Sequence, residues 1–242
     1  MTSSCRDRWR PCCTRLHQHQ LYPGQLIEAI IFIQGGEAAQ SIDGIDLALM
    51  TRAKVSTDQG ERFNNLCLAQ WRIDARFEIQ PSEVQEIPFR ALLHPETPFT
   101  QLPVRNNQSQ VWLATGVDID LAADPTDSDN LEILPTPVLQ HILAAMESFG
   151  FSLRKADVEQ GYLRTSTFTS RSGCYQELEF RPRSRGYSSI NEVEISVVCD
   201  ERVTHVLIEL DRAFRSDGYM SFSVDNHATA SELHARLRQI IR

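Results

Sequence analysis

Apolar and polar positions alternate with a period of two along most of this chain, the pattern of strands with one buried face. Val111, Leu113, Thr115 and Val117 form one such row. Upstream, the turn Tyr22-Pro23-Gly24 opens a strand over Leu26–Ile33, and Gly35-Gly36 closes it. Ile45, Leu47, Leu49 and Thr51 alternate with Asp46, Ala48 and Met50. A third strand over Gln70–Ile79 places Ile73, Ala75, Phe77 and Ile79 on one face. Pro81-Ser82 breaks it, and Val84–Leu92 follows, with Pro88 marking an edge or bulge position. Short strands between turn signals, with no helix up to about Asp124, predict a β-sandwich.

The period changes after Pro135. Thr136 suits an N-cap and Pro137 a first helical position. Leu139, Ile142, Leu143, Met146 and Phe149 form one apolar helical face that Gly150 ends. Strands are then predicted over Phe151–Lys155, Leu163–Phe168, Cys174–Arg181, Glu192–Val198, Thr204–Asp211 and Tyr219–Val224. A final helix covers Ser231–Arg242, with Thr229 and Glu232 as a capping box and Leu233, Leu237, Ile240 and Ile241 as its stripe. The fold class is mainly β: a sandwich, then a second β-rich domain with one internal helix and a C-terminal helix. Whether that second domain is a sandwich or an α+β sheet stays open.

Composition narrows the function classes. The chain has 242 residues, 41% hydrophobic and 23% charged, as expected of a globular protein with room for two domains. A net charge of −8 argues against a nucleic-acid binder. The longest apolar run, Leu26–Ile33, contains Glu28 and is too short to span a bilayer, and no secretory h-region stands at the N-terminus. Six cysteines, three clustered at the N-terminus and three scattered, point without such a signal to a reducing, cytoplasmic compartment.

The division expected is a divergent, poorly ordered tail over residues 1–20, a sandwich over 21–124, an acidic proline-flanked linker over 125–137 and the second domain over 138–242. The junction holds five aspartates in twelve residues: Asp118, Asp120, Asp124, Asp127 and Asp129. Such a run faces water, a cation or a basic partner. Calcium takes oxygen ligands, so a calcium-responsive junction is the alternative reading, although the spacing fits no EF-hand loop. Cys5, Cys12, Cys13, His17 and His19 are zinc-ligand types without a zinc spacing. Three strands of the second half turn acids outward: Glu177 and Glu179, Glu192 and Glu194, Glu209 and Asp211. Like charges across strands are destabilising unless matched, for instance by Arg181, Arg202 or Arg212, or kept for a basic partner. No G-x-S-x-G elbow or glycine-rich phosphate loop is present, and Ser172-Gly173-Cys174 stands apart from any histidine in sequence.

Several blocks resemble the bacterial sporulation-control family of the SpoOM type. They are Tyr22-Pro23-Gly24-Gln25 with its strand, Glu86-Ile87-Pro88-Phe89, Thr97-Pro98, Val111–Pro137, Gly150-Phe151, Gln176-Glu177-Leu178-Glu179-Phe180 and Glu209-Leu210-Asp211-Arg212. The resemblance implies an arrestin-like first domain and a cytoplasmic regulatory or adaptor role without catalysis. Met1–Thr14 departs from the family pattern, which would leave the first sandwich edge open to a partner.

The expected function is therefore a non-enzymatic adaptor with protein partners, no nucleic acid, no membrane span and no cofactor. A homodimer is one assembly such edges allow.

Overall fold

The computed structural model describes residues 12–57, 60–119, 126–184, 189–213 and 218–241. Its first half is built from β1 (Cys12–Leu16), β2 (Gln20–Leu21), β3 (Leu26–Gln34), β4 (Gln40–Thr57), β5 (Gly60–Ile73), β6 (Phe77–Ile79), β7 (Val84–Leu92), β8 (Asn106–Asn107), β9 (Val111–Ile119), β10 (Thr126–Asn130) and β11 (Glu132–Ile133). One sheet runs β1-β3-β7, all antiparallel. It packs on β10-β9-β4, with β5 and β6 also paired to β4. The alternation expected of β9 holds: Val111, Leu113, Thr115 and Val117 are buried. Ile27, Ala29, Ile31 and Ile33 of β3 meet Ile45, Leu47 and Leu49 of β4 in the same core. Contacts that join the sheets include the buried Thr14 and Thr115 hydroxyls, 2.8 Å apart, and an edge-to-face pair of Trp71 and Phe89.

Four local expectations change. Cys12–Leu16 is not tail but strand β1, paired with Ala29–Ile33, so the sandwich edge that the N-terminal departure put in question is supplied. The stretch expected as linker is strand for much of its length: Thr126–Asn130 pair with Trp112–Gly116, and Glu132–Ile133 with Gln20–Leu21. The third strand starts earlier, at Gly60, and breaks between Ile73 and Phe77. Gly60–Asn65 are exposed on both faces, as an arm reaching past the core, so no hydrophobic alternation announces them. Leu163–Phe168 is a loop closed by an Arg164–Thr169 bridge; Leu163 and Phe168 make a small core of their own with Val198 and Leu207.

The second half contains α1 (Pro137–Ser148), β12 (Phe151–Gln160), β13 (Cys174–Pro182), β14 (Ile190–Cys199), β15 (Val203–Arg212), β16 (Gly218–Asp225) and α2 (Ala230–Ile240). The five strands form an antiparallel meander. Leu178, Phe180, Val193, Ile195, Val206, Ile208 and Phe222 share a core with Leu139, Ile142 and Met146 of α1 and Leu233, Leu237 and Ile240 of α2. The second half is thus an α+β sheet with helices on one face. Both helix starts form as their sequence predicts: Thr136 accepts from the Leu139 amide, and Thr229 and Glu232 complete their capping box. Strand β4 runs past the end of its neighbour β9, and there Lys54 stands opposite Glu159 of β12. This pairing joins both halves into one 11-stranded sheet.

Candidate functional site

With the helices on one face of the meander, its odd-numbered β13 residues turn to the other. Register then decides what meets there. Glu179 lies opposite Glu194, and Glu194 opposite Glu209, giving three glutamates in line across three adjacent strands. Lys155 continues this row on β12 and Tyr219 on β16. The next row carries Asp157, Glu177, Ser196, Leu207 and Ser221. Glu192 stands opposite Asp211. All six acids expected to face outward therefore share one surface. Asp211 is exposed and the five glutamates are half-buried, since neighbouring side chains shield them.

Basic residues balance part of this charge. The Arg181 guanidinium donates from Nε to Glu192 Oε2 at 2.7 Å and reaches Glu179 Oε1 at 2.8 Å. These contacts hold its pKa above the usual arginine value. Beside this clamp opens a hollow of about 1040 Å³, walled by Glu179, Arg181, Glu192 and Asp211 with Asn106 and Lys155. Burial, with the nearby Glu194 carboxylate second, pushes Glu177 up to about 8, so its carboxyl is largely protonated at neutral pH and hydrogen-bonded to Glu194. Burial and the Glu192 carboxylate raise Glu179 as well, against the pull of Arg181. Tyr175 is pushed up to about 12, first by burial and then by Glu177.

Asp157, Glu159 and Glu177 bring ligand oxygens within 4.8 Å of one another, close enough to hold a metal ion. A cation already sits on two of them. The Lys54 Nζ lies 2.8 Å from Asp157 Oδ2 and also contacts Glu159, while Lys155 Nζ lies 2.5 Å from the same Asp157 oxygen. Burial would lower the pKa of Lys54, but the two carboxylates outweigh it and raise it above the ordinary lysine value. None of Lys54, Asp157 or Glu159 is marked as a site by the sequence patterns above. The alternation of Lys155, Asp157 and Glu159 against Ala156 and Val158 is a signal that could have extended the predicted strand; Lys54 had none.

The aspartate junction does not assemble a calcium site among the described residues. Asp118 points to Arg72, whose guanidinium also takes Asp46 and Asp74, and Nη2 lies 3.0 Å from Asp118 Oδ2. Asp127 and Asp129 stand opposite Thr115 and Leu113, on the other face of the sheet, where Asp127 accepts from the Thr14 amide at 2.8 Å. Asp120 and Asp124 lie outside the described residues, as does Cys5. Cys12 and Cys13 are successive on β1 and face opposite ways, while His17 and His19 lie beyond its end.

Nucleophilic chemistry finds no arrangement among the described residues. Burial pushes the Cys174 thiol up to about 11 and Cys199 to about 12, away from the thiolate. His94 accepts from the Glu96 amide, and burial lowers its pKa. His205 stacks on Phe168 and bonds Ser223.

A profile of the SpoOM protein family matches residues 12–214. The chain is 32% identical over 203 residues to the sporulation-control protein spo0M of Bacillus subtilis (strain 168), covering 84% of this chain and 75% of that protein. It also superposes on the crystal structure of Spo0M from Bacillus subtilis with a TM-score of 0.81, at 27% identity, covering 95% of this chain and 96% of the other.

Proposed function

Because this chain belongs to the SpoOM protein family, we propose that it is a regulatory adaptor rather than an enzyme, and that it holds a basic protein partner on the acidic outer face of β12–β15. The family carries the regulatory role. The observation that supports the mechanism is the register of Glu179, Glu194 and Glu209. Like charges directly opposite one another weaken a sheet, and Arg181 reaches only one end of the row. Lysine or arginine side chains from a partner would set cations against this row and occupy the adjoining hollow. Among the described residues Cys67, Cys174 and Cys199 stand as free thiols, which fits a reducing cytoplasm.

The test compares captures from native lysate by the wild-type chain and by the triple variant Glu179→Gln, Glu194→Gln, Glu209→Gln, quantified by mass spectrometry with and without EDTA. A basic partner retained by the wild type, released by salt, lost by the triple variant and indifferent to EDTA supports this function. A partner set unchanged by the triple substitution sinks it.

A further inference from the structure

Sheet edges are where a second chain adds most easily, and proteins guard them with charge or proline. Most edges here are guarded: β7 carries Glu86, Pro88 and Arg90, β5 carries Glu61, Arg62 and Arg72, and β10 carries Asp127 and Asp129. Strand β16 ends the long sheet differently. From Gly218 to Val224 it holds neither a charge nor a proline, and among the described residues no strand pairs with its far side.

A second observation falls at the same place. Seven large hydrophobic side chains are exposed among the described residues, and three of them, Tyr162, Tyr219 and Met220, line one groove of about 540 Å³ beside β16. Leu207, Glu209 and Arg164 also line it, the Arg164 guanidinium lying over the Tyr162 ring. Exposed aromatic side chains beside a groove are the anchors that interfaces favour.

We propose that an extended basic segment of the partner enters along the open edge of β16 and adds to the meander as a further strand. This rests on the acidic-face reading above and names the partner's conformation and point of entry. The row Glu179, Glu194, Glu209 runs directly into Tyr219, so outward side chains of an added strand continue that row. Adjacent strands lie about 4.8 Å apart, which puts Glu209 about 10 Å from the added backbone, a gap that a lysine or arginine stem and the glutamate bridge together. Met220 stands opposite Ile208 on the other face and is 48% exposed, so alternate residues of the segment would be apolar. A second copy of this chain fits less well, because it carries net charge −8 and would bring the same acids to the same edge.

The probe is a labelled nine-residue peptide of alternating lysine and valine with blocked ends, titrated into the full chain by anisotropy and followed by amide hydrogen exchange. The expected result is protection of the β16 amides and about a tenfold loss of affinity in Met220→Lys, with the melting temperature of that variant confirming its fold. Loss of binding in Glu194→Gln without change in Met220→Lys or in β16 exchange overturns the edge entry and leaves the acidic face standing. No binding to the wild type overturns the edge entry, and the capture comparison then decides the acidic face by itself. A dimer of the chain that Met220→Lys dissociates also overturns it, in favour of a second copy.

Discussion

The side chain of Gln176 binds both backbone groups of Phe99: Oε1 accepts from the Phe99 amide and Nε2 donates to its carbonyl, each at 2.8 Å. A carboxamide thereby takes the place of a strand neighbour for a loop residue 77 positions away. Nε2 also donates to Ser109 Oγ at 2.7 Å, so three elements meet at one amide that is only 4% exposed. Gln176→Leu leaves the Phe99 N–H and C=O buried without partners. A stability loss of about 3 kcal/mol is expected in urea unfolding. A loss within error would show that the Phe99 loop holds its place without this amide.

Lys54 enters the carboxylate cage of the second half from the end of β4. Removing its charge leaves Asp157, itself only 3% exposed, with Lys155 alone. Lys54→Met is expected to cost about 3 kcal/mol, and Asp157→Asn added to it should recover part of that loss. Strict additivity in this double-mutant cycle would contradict the coupling.

Glu177 sets the sign of one pH dependence. Its folded-state pKa of about 8 lies above its ordinary value. Between about pH 5 and 8 the native state holds a proton that the unfolded chain releases, so this group's stabilising contribution is full at low pH and lost as pH rises. Glu177→Gln is expected to flatten the fall of Tm across that window and to melt above the wild type at pH 8. Parallel Tm–pH curves for the two proteins would place the perturbed carboxyl elsewhere.

A basic segment docked on the face favours ionised Glu177 and therefore releases a proton. Affinity for the lysine–valine peptide should rise with pH toward 8, and calorimetry in buffers of different ionisation enthalpy should register the release. Affinity independent of pH would show that the cation sits away from the Glu177–Glu194 pair.

Asp118 is committed to Arg72, while Asp127 and Asp129 face the opposite side of the sheet. Millimolar calcium is therefore expected to leave Tm unchanged, since a ligand raises Tm only by binding the folded state. A calcium-dependent rise lost on Asp118→Asn would contradict that geometry.

Much of this architecture was open to reading along the chain. The alternation of β3, β7 and β9, the Thr136 cap and the Thr229–Glu232 box are local features, each set by residues within a few positions of one another. The outward direction of Glu177, Glu179, Glu192, Glu194, Glu209 and Asp211 was legible for the same reason, because a period of two assigns each residue to a face. Register is different. That Glu179, Glu194 and Glu209 stand in one row depends on how three strands slide against one another, a sum over many backbone bonds and core contacts that no single strand encodes. The same holds for Thr126–Asn130, whose acids suggested a linker until pairing with β9 made them a strand, and for Lys54, whose role exists only because β4 runs on past the end of β9 to meet β12. Sequence by itself determined the elements with clear periodicity or caps, the faces they present and the family. Tertiary structure decided which charges meet, because that is settled by contacts between residues far apart in the chain.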